Sequence, residues 1–245
     1  MTARTCLVTG ASRGLGYAMA TALLEAGHRV VGTWCSGVGG LEGLTQRFPE
    51  TALALQLNQR NAEQVGDVIE ATTSRFGPVE VLVNNAAIAD ERPFEALDDD
   101  AWLTMVDTNL LGPVRLARRV IGSMQSARWG RIVNVASIGG QWGGMRQVHY
   151  AASKAALINF TRSLAKLYAA EGIVPIALCP GLFATDMTQG ELASPAGRAK
   201  VAAIPAARLG EGAELGAMLV SLTGPAGDYL AGQTINLNGG MYFQT

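Results

Sequence analysis

Short apolar runs alternate along the chain with longer stretches whose apolar positions recur at helical period. The runs are Cys6–Val8, Arg29–Trp34, Ala52–Leu57, Val79–Val83, Arg131–Ala136, Ile173–Cys179 and Thr234–Leu237. Most are rich in Val, Ile and Leu without polar alternation, which is how strands read when both faces are buried. Between them, Tyr17–Ala26, Ala62–Phe76, Asp98–Met124, Ala151–Ala170 and Glu211–Leu222 are long enough for helices. This alternation predicts parallel strand pairing with right-handed crossovers. The fold class is therefore α/β: one doubly wound domain over residues 1–245, with a parallel sheet of about seven strands flanked by helices. Ligands of such sheets sit at the carboxyl ends of the strands. The only long stretch without a clear element is Gly181 to Leu209, rich in Gly, Ala, Ser and Pro. Loops of that length are usually lids or binding loops, so residues 182–208 are read as a substrate lid that opens with Met187–Leu192.

Charge narrows the function classes. The 245 residues carry 19 Lys+Arg against 20 Asp+Glu, a net charge of −1. Phosphate-backbone binding needs a basic surplus, so nucleic acid is not the expected partner. A polybasic membrane footing is excluded on the same ground, and no run of about 18 apolar residues spans a bilayer. Cys6, Cys35 and Cys179 are an odd count without paired spacing, which fits a reducing cytoplasm. Cys35 reads as a small packing residue.

The first strand leads into Thr9-Gly10-Ala11-Ser12-Arg13-Gly14-Leu15-Gly16, and a helix follows at once. Glycines allow a tight turn and close approach of backbone N–H groups to a pyrophosphate, and the helix N-terminus adds favourable partial positive charge. Alone, such a turn is equally a tight strand–helix connection; after the first strand of an alternating α/β chain it reads as a dinucleotide cradle. NAD binders usually place a carboxylate at the end of the second strand. Here that segment is Gly32-Thr33-Trp34-Cys35-Ser36. Arg13 offers a guanidinium and Thr33 and Ser36 offer hydroxyls to a 2′-phosphate. NADP(H) is thus favoured over NAD(H), the plain alternative for Arg13 being a solvated charge.

Tyr150-Ala151-Ala152-Ser153-Lys154 places a phenol and an ammonium one helical turn apart. A neighbouring ammonium favours the phenolate, and a tyrosine tuned toward neutrality exchanges a proton with an alcohol oxygen. Ser137, at the end of the fifth strand, can hydrogen-bond the same oxygen. A Tyr-x-x-x-Lys pair by itself is most often a surface helix pair; the upstream Ser137 gives it a functional reading.

In order and spacing, Thr9–Gly16, Asn84-Asn85-Ala86-Ala87, Asn109, Ser137, Tyr150-x-x-x-Lys154, Pro180-Gly181 and Asn238-Gly239-Gly240 resemble the short-chain dehydrogenase/reductase family over essentially the whole chain. Within it, the sequence is most similar to the β-ketoacyl-(acyl-carrier-protein) reductases, and the ending Thr234–Tyr242 is similar to theirs. The resemblance implies a Rossmann-type fold and a catalytic set of Asn109, Ser137, Tyr150 and Lys154. Tyr150 would be the general acid in reduction, Lys154 would lower its pKa and bind the nicotinamide ribose, and Ser137 would orient the carbonyl. Asn109 would hold a water linking Lys154 to solvent. For the cofactor, Gly10, Ser12, Gly14, Leu15 and Gly16 of the glycine turn would lie at the pyrophosphate, with Arg13 at the 2′-phosphate. Asn85 and Ala86 would lie at the adenosine ribose, Asn58 at the adenine edge, and Pro180, Gly181 and Thr185 at the nicotinamide. The resemblance also implies a homotetramer built through Asp98–Met124, Ala151–Ala170 and the last strand. Ala87 departs from the family's glycine and demands a negative φ. The family's reductases place basic residues beside the site to receive the acidic carrier protein. Arg128 matches one such position and Glu171 stands at another, where a carboxylate repels an acidic partner.

Gly139–Gln147 joins Ser137 to Tyr150 and should line the substrate pocket, with Trp142 and Met145 as apolar surface and Gln141 and Gln147 as hydrogen-bonding groups. Arg146 reads as a carboxylate or phosphate ligand, a subunit contact or a solvated charge. His149 reads as packing, and His28 as a helix C-terminal residue near the dipole. With no Cys/His/Asp cluster beside them there is no case for a catalytic metal. The expected function is NADPH-dependent reduction of a ketone, a 3-oxoacyl thioester on an acyl carrier protein being the first candidate substrate. A natural-product ketoreductase, an NAD(P)-dependent alcohol or sugar dehydrogenase and a non-enzymatic NADP-binding scaffold are the alternatives.

Overall fold

The computed structural model describes residues 2–185 and 194–243. Seven strands, β1 (Thr5–Val8), β2 (Arg29–Trp34), β3 (Ala52–Gln56), β4 (Val81–Asn84), β5 (Gly130–Val135), β6 (Ile173–Pro180) and β7 (Thr234–Leu237), form one sheet in the order β3-β2-β1-β4-β5-β6-β7. Every pairing is parallel. The helices are α1 (Gly14–Glu25), α2 (Leu41–Arg47), α3 (Ala62–Phe76), α4 (Asp99–Val106), α5 (Gly112–Ala127), α6 (Gly139–Trp142), α7 (Val148–Tyr168), α8 (Pro195–Ala202) and α9 (Gly212–Thr223).

Strand residues alternate between two apolar layers, which is why the strands lack polar alternation. Cys6, Val8, Val81, Val83, Val133 and Ile176 pack with Met19 and Leu23 of α1 and Leu215 and Leu219 of α9. Leu7, Val31, Leu82 and Ile132 face the other way, onto Val68 of α3, Leu116 and Val120 of α5 and Leu164 of α7. Strand order reverses between β1 and β4, and that switch point opens the cleft at the carboxyl ends where a ligand is expected.

Two features differ from the periodicity. The expected helix Asp98–Met124 is α4, a π-helical turn Asp107–Leu111, then α5. The stretch read as structureless contains α8, opened by Ser194, whose Oγ accepts from Gly197 N–H, followed by Pro195. Met187–Leu192, the expected opening of the lid, lies outside the described residues.

Candidate active site

The glycine turn is locked to the end of β4. Thr9 Oγ1 accepts the backbone N–H groups of both Asn85 and Ala86 at 3.0 Å. Asn85 Nδ2 donates back to the carbonyls of Thr9 and Gly10 at 2.9 and 3.0 Å. This brings the two chain segments so close that a Cβ on Gly10, whose φ is +64°, would lie 2.8 Å from Ala86 Cα. Only glycine fits there. Helix α1 begins at Gly14, and its N-cap, Arg13, makes no side-chain capping bond. The first-turn N–H groups therefore have no side-chain acceptor and suit an anion.

A cleft of about 530 Å³ runs over this turn. Arg13, Cys35 and Ser36 form one side, and Asn85, Ala86 and Thr185 lie further along. Among the described residues, no Asp or Glu belongs to the wall. Ser12, Gly14, Leu15 and Gly16 complete its floor. Thr33, expected to offer its hydroxyl to a phosphate, is instead buried beneath the turn and accepts from Gly10 N–H at 3.4 Å. Cys35, expected to be a packing residue, is exposed. Asn58 stands exposed after β3, and its Oδ1 accepts from Arg60 N–H. Ala87 takes a negative φ, so its methyl is accommodated. Pro180 ends β6, and Gly181 N–H donates to Leu237.

The catalytic candidates meet at the ends of β5 and β6 and on the first turns of α7. Ser137 Oγ accepts from Gly139 N–H at 3.0 Å and stands beside the Tyr150 phenol, close enough to favour its ionised form. Lys154 Nζ lies 5.7 Å from the Tyr150 ring centre and donates to the Val135 carbonyl at 2.8 Å. The lysine is 3% exposed, and burial pulls its pKa down to about 8. Burial pushes the Tyr150 phenol above its ordinary value, partly offset by the Ser137 hydrogen bond. This corrects the expected sign. In the protein alone, desolvation outweighs any help the ammonium gives the phenolate.

The π-helical turn carries Asn109, which is 1% exposed. Its carboxamide is committed: Oδ1 accepts from Ile88 N–H, and Nδ2 donates to the Ile88 carbonyl and to Ser153 Oγ. Two supporting groups carry no sequence signal beyond being polar in apolar surroundings. Gln59 is buried, and its Nε2 donates to the carbonyls of Ala86 (3.0 Å) and Thr108 (2.8 Å), tying the cleft wall to the π-helical turn. A buried chain from Asn84 to Asn134 to Thr161 joins β4, β5 and α7.

The loop between Ser137 and Tyr150 is partly helical. Gln141 Nε2 donates to Asn236 Oδ1 of β7 and Gln147 Nε2 to Glu91. An open hollow of about 520 Å³ lies between this loop and α7, lined by Trp142, Met145, Val148 and Ala151 and, among the described residues, by no charged one. His149 is buried, with its ring edge-on to Trp102, as packing requires. Arg128 and Glu171 immediately precede β5 and β6. They sit at the amino ends of those strands, roughly 20 Å along the sheet from Ser137 at about 3.3 Å per residue. They are therefore not beside this chain's own catalytic group, and Glu171 accepts from Gln125 Nε2 at 2.8 Å.

The short chain dehydrogenase model matches residues 4–195. The chain is 37% identical over 239 residues to the 3-oxoacyl-(acyl-carrier-protein) reductase of Vibrio cholerae, spanning 98% of this chain and 97% of that protein. Among solved structures, a variant of the actinorhodin polyketide ketoreductase with NADPH superposes with a TM-score of 0.90 at 32% identity, covering 98% of this chain and 97% of its own. A candidate gluconate dehydrogenase from Agrobacterium tumefaciens gives a TM-score of 0.91 at 33% identity, covering 97% of this chain and 95% of its own. By sequence along most of its length and by fold throughout, the chain belongs to the short-chain dehydrogenase family.

Proposed function

We propose that this protein is an NADPH-dependent ketoreductase whose substrate is a 3-oxoacyl thioester or a related polyketide-like ketone. The observation that carries the reading is the convergence of Ser137, Tyr150 and Lys154 at the carboxyl ends of β5 and β6, next to a cleft whose wall, among the described residues, holds Arg13 and no carboxylate. The residues present fit the cofactor. Gly10 leaves room where a Cβ would collide, and the N-terminus of α1, without a side-chain cap, would receive the diphosphate. Arg13 and Ser36 would hold the adenosine 2′-phosphate, Asn85 and Ala86 the adenosine ribose, and Thr185 the carboxamide. When bound, the nicotinamide supplies a hydride to the ketone carbon.

The protein's own groups do the rest. The Ser137 and Tyr150 hydroxyls hold the carbonyl oxygen and stabilise negative charge as it develops there. Tyr150 Oη then delivers its proton to that oxygen. Because burial holds the phenol protonated, Tyr150 is in the acid form that reduction requires. Lys154 donates one N–H to the Val135 carbonyl, which leaves its other N–H groups to bind the nicotinamide ribose when the cofactor is present. Asn109, whose side chain is bonded to Ile88 and Ser153, would hold a water that links Lys154 to solvent. The uncharged hollow beside Trp142 and Val148 suits an acyl chain better than a sugar.

The active assembly is a homotetramer in the reducing cytoplasm, where Cys6, Cys35 and Cys179 remain thiols. If an acyl carrier protein docks at Arg128, it does so to serve a neighbouring copy's site, since Arg128 lies at the far end of its own sheet. The test is turnover of a ketone panel, including an acetoacetyl thioester and a gluconate-type sugar acid in the oxidative direction, with NADPH and NADH compared. Preference for the thioester with NADPH, reduced sharply in Arg13→Ala, supports the reading. Preference for the sugar acid, or for NADH, overturns it. The sugar-acid arm is included because of the Agrobacterium neighbour.

A further inference from the structure

A second polar hollow lies at the other end of the sheet, which ketoreduction does not use. It measures about 270 Å³ and is walled by Arg4, His28, Trp129, Arg131 and Asp228, among others. These residues come from the amino-end side of β1, β2 and β5 and from the turn before β7. The Trp129 ring receives two guanidinium groups, Arg4 at 3.8 Å and Arg131 at 4.7 Å from its centre.

Two donors in this wall lack acceptors. His28 is 2% exposed, and its Nδ1 accepts the Arg4 backbone N–H at 3.1 Å. The neutral ring therefore carries its proton on Nε2, and Nε2 is buried without a partner. Arg131 is 1% exposed. One of its terminal nitrogens donates to the Gly130 carbonyl and the other pairs with Asp228, while Nε is buried without a partner. Native folds rarely leave such donors unsatisfied. Burial and Arg4 both hold His28 neutral, so the site offers N–H donors without adding a third buried cation.

Charge selects the ligand. Arg4 and Arg131 against Asp228 leave the wall with one excess positive charge. Outside the wall, Glu80 pairs with Arg4 at 2.6 Å and lies 3.9 Å from Arg29, so the surrounding cluster of three guanidiniums and two carboxylates keeps that excess. The Asp228 side chain is 64% exposed, so it can swing out to make way for a competing anion. Guanidinium groups pair well with phosphate oxygens.

We propose that this hollow is an anion site that takes a phosphate group, held by Arg4, Arg131 and the His28 Nε2–H. It would make the reductase responsive to free phosphate or to a small phosphate monoester through a surface remote from the chemistry.

The test titrates full-length protein with inorganic phosphate or glycerol 3-phosphate at constant ionic strength. NADP+ is kept saturating throughout, so that the glycine cradle is not the site observed. Intrinsic tryptophan fluorescence reports Trp129, and thermal unfolding reports binding independently. The expected result is a saturable fluorescence change with a matching rise in Tm, both weakened at least tenfold in Arg4→Gln and in His28→Phe. Both variants should keep NADPH-dependent turnover. Trp129→Phe should lose the fluorescence signal but keep a rise in Tm. Tighter binding of glycerol 3-phosphate names the monoester as the source, and equal or weaker binding names free phosphate. No response beyond that of sodium chloride, or a full response in both Arg4→Gln and His28→Phe, overturns the proposal.

Discussion

Replacing Lys154 with methionine separates what the site costs the fold from what it does for catalysis. The lysine is fully enclosed, and burial lowers its pKa from 10.5 to about 8. At about 1.4 kcal/mol per unit, holding the ammonium there costs the folded state roughly 3 kcal/mol at neutral pH. Methionine removes that cost but leaves the Val135 carbonyl without its donor, a loss of about 1–3 kcal/mol. The variant should therefore be as stable as the parent at pH 7, or more stable by up to about 2 kcal/mol, while losing ketone turnover. The pH dependence has a definite sign. Between the folded pKa near 8 and the unfolded value of 10.5, the unfolded chain binds more protons at Lys154 than the folded one. The parent thus gains stability from this group as pH rises through that window. Cys6, common to both proteins, cancels in the difference; Cys179, whose thiolate the ammonium favours, loses that help in the variant, which moves the difference in the same direction at high pH. Denaturant unfolding at pH 7 and pH 10 reads it directly: the variant's advantage should shrink by pH 10. A variant more than about 2 kcal/mol less stable than the parent at pH 7 would show that the ammonium supports the fold, and the reasoning would fail.

Other outcomes follow from single groups. Gln59→Leu leaves the carbonyls of Ala86 and Thr108 unpaired while removing the unpartnered Gln59 Oε1; a net loss of about 1–3 kcal/mol is expected in denaturant unfolding, with KM for NADPH raised. Thr9→Val removes the acceptor shared by the Asn85 and Ala86 N–H groups and should weaken NADPH binding, measured by fluorescence titration, more than it slows the bound enzyme. Asp107 is held below the usual carboxylate range because hydrogen bonds from Arg115 and Arg60 outweigh its desolvation. Its stabilising contribution is present above the ordinary carboxylate pKa and is lost as pH falls through the depressed one. Acid unfolding of Asp107→Asn should therefore show a shallower dependence on pH below about pH 4 than the parent.

The fold was legible because both faces of the strands are buried. Arg29–Trp34 and Thr234–Leu237 match the observed strands residue for residue, as Ala62–Phe76 matches its helix. What was hidden has physical reasons. The π-helical turn around Asn109 adds residues without breaking the apolar stripe, so periodicity reads straight through it. Helix α8 carries its cap and proline, Ser194 and Pro195, but too few apolar residues to form a stripe. Thr33 and Cys35 are two residues apart near the end of β2, yet one hydroxyl is pinned under the glycine turn while the thiol faces outward. Spacing cannot report which neighbour claims a hydroxyl. Nor can it report that desolvation exceeds the pull of an ammonium on a phenol, because both depend on how deeply α7 is packed.

The most direct test of the account is Tyr150→Phe, which removes one oxygen and leaves Ser137 and Lys154 in place. With saturating NADPH and an acetoacetyl thioester, turnover should fall by about a thousandfold, within the range expected for loss of a positioned general acid. The dissociation constant for NADPH should stay within about twofold. A variant that keeps a tenth or more of parental turnover would contradict the assignment of the proton to this phenol.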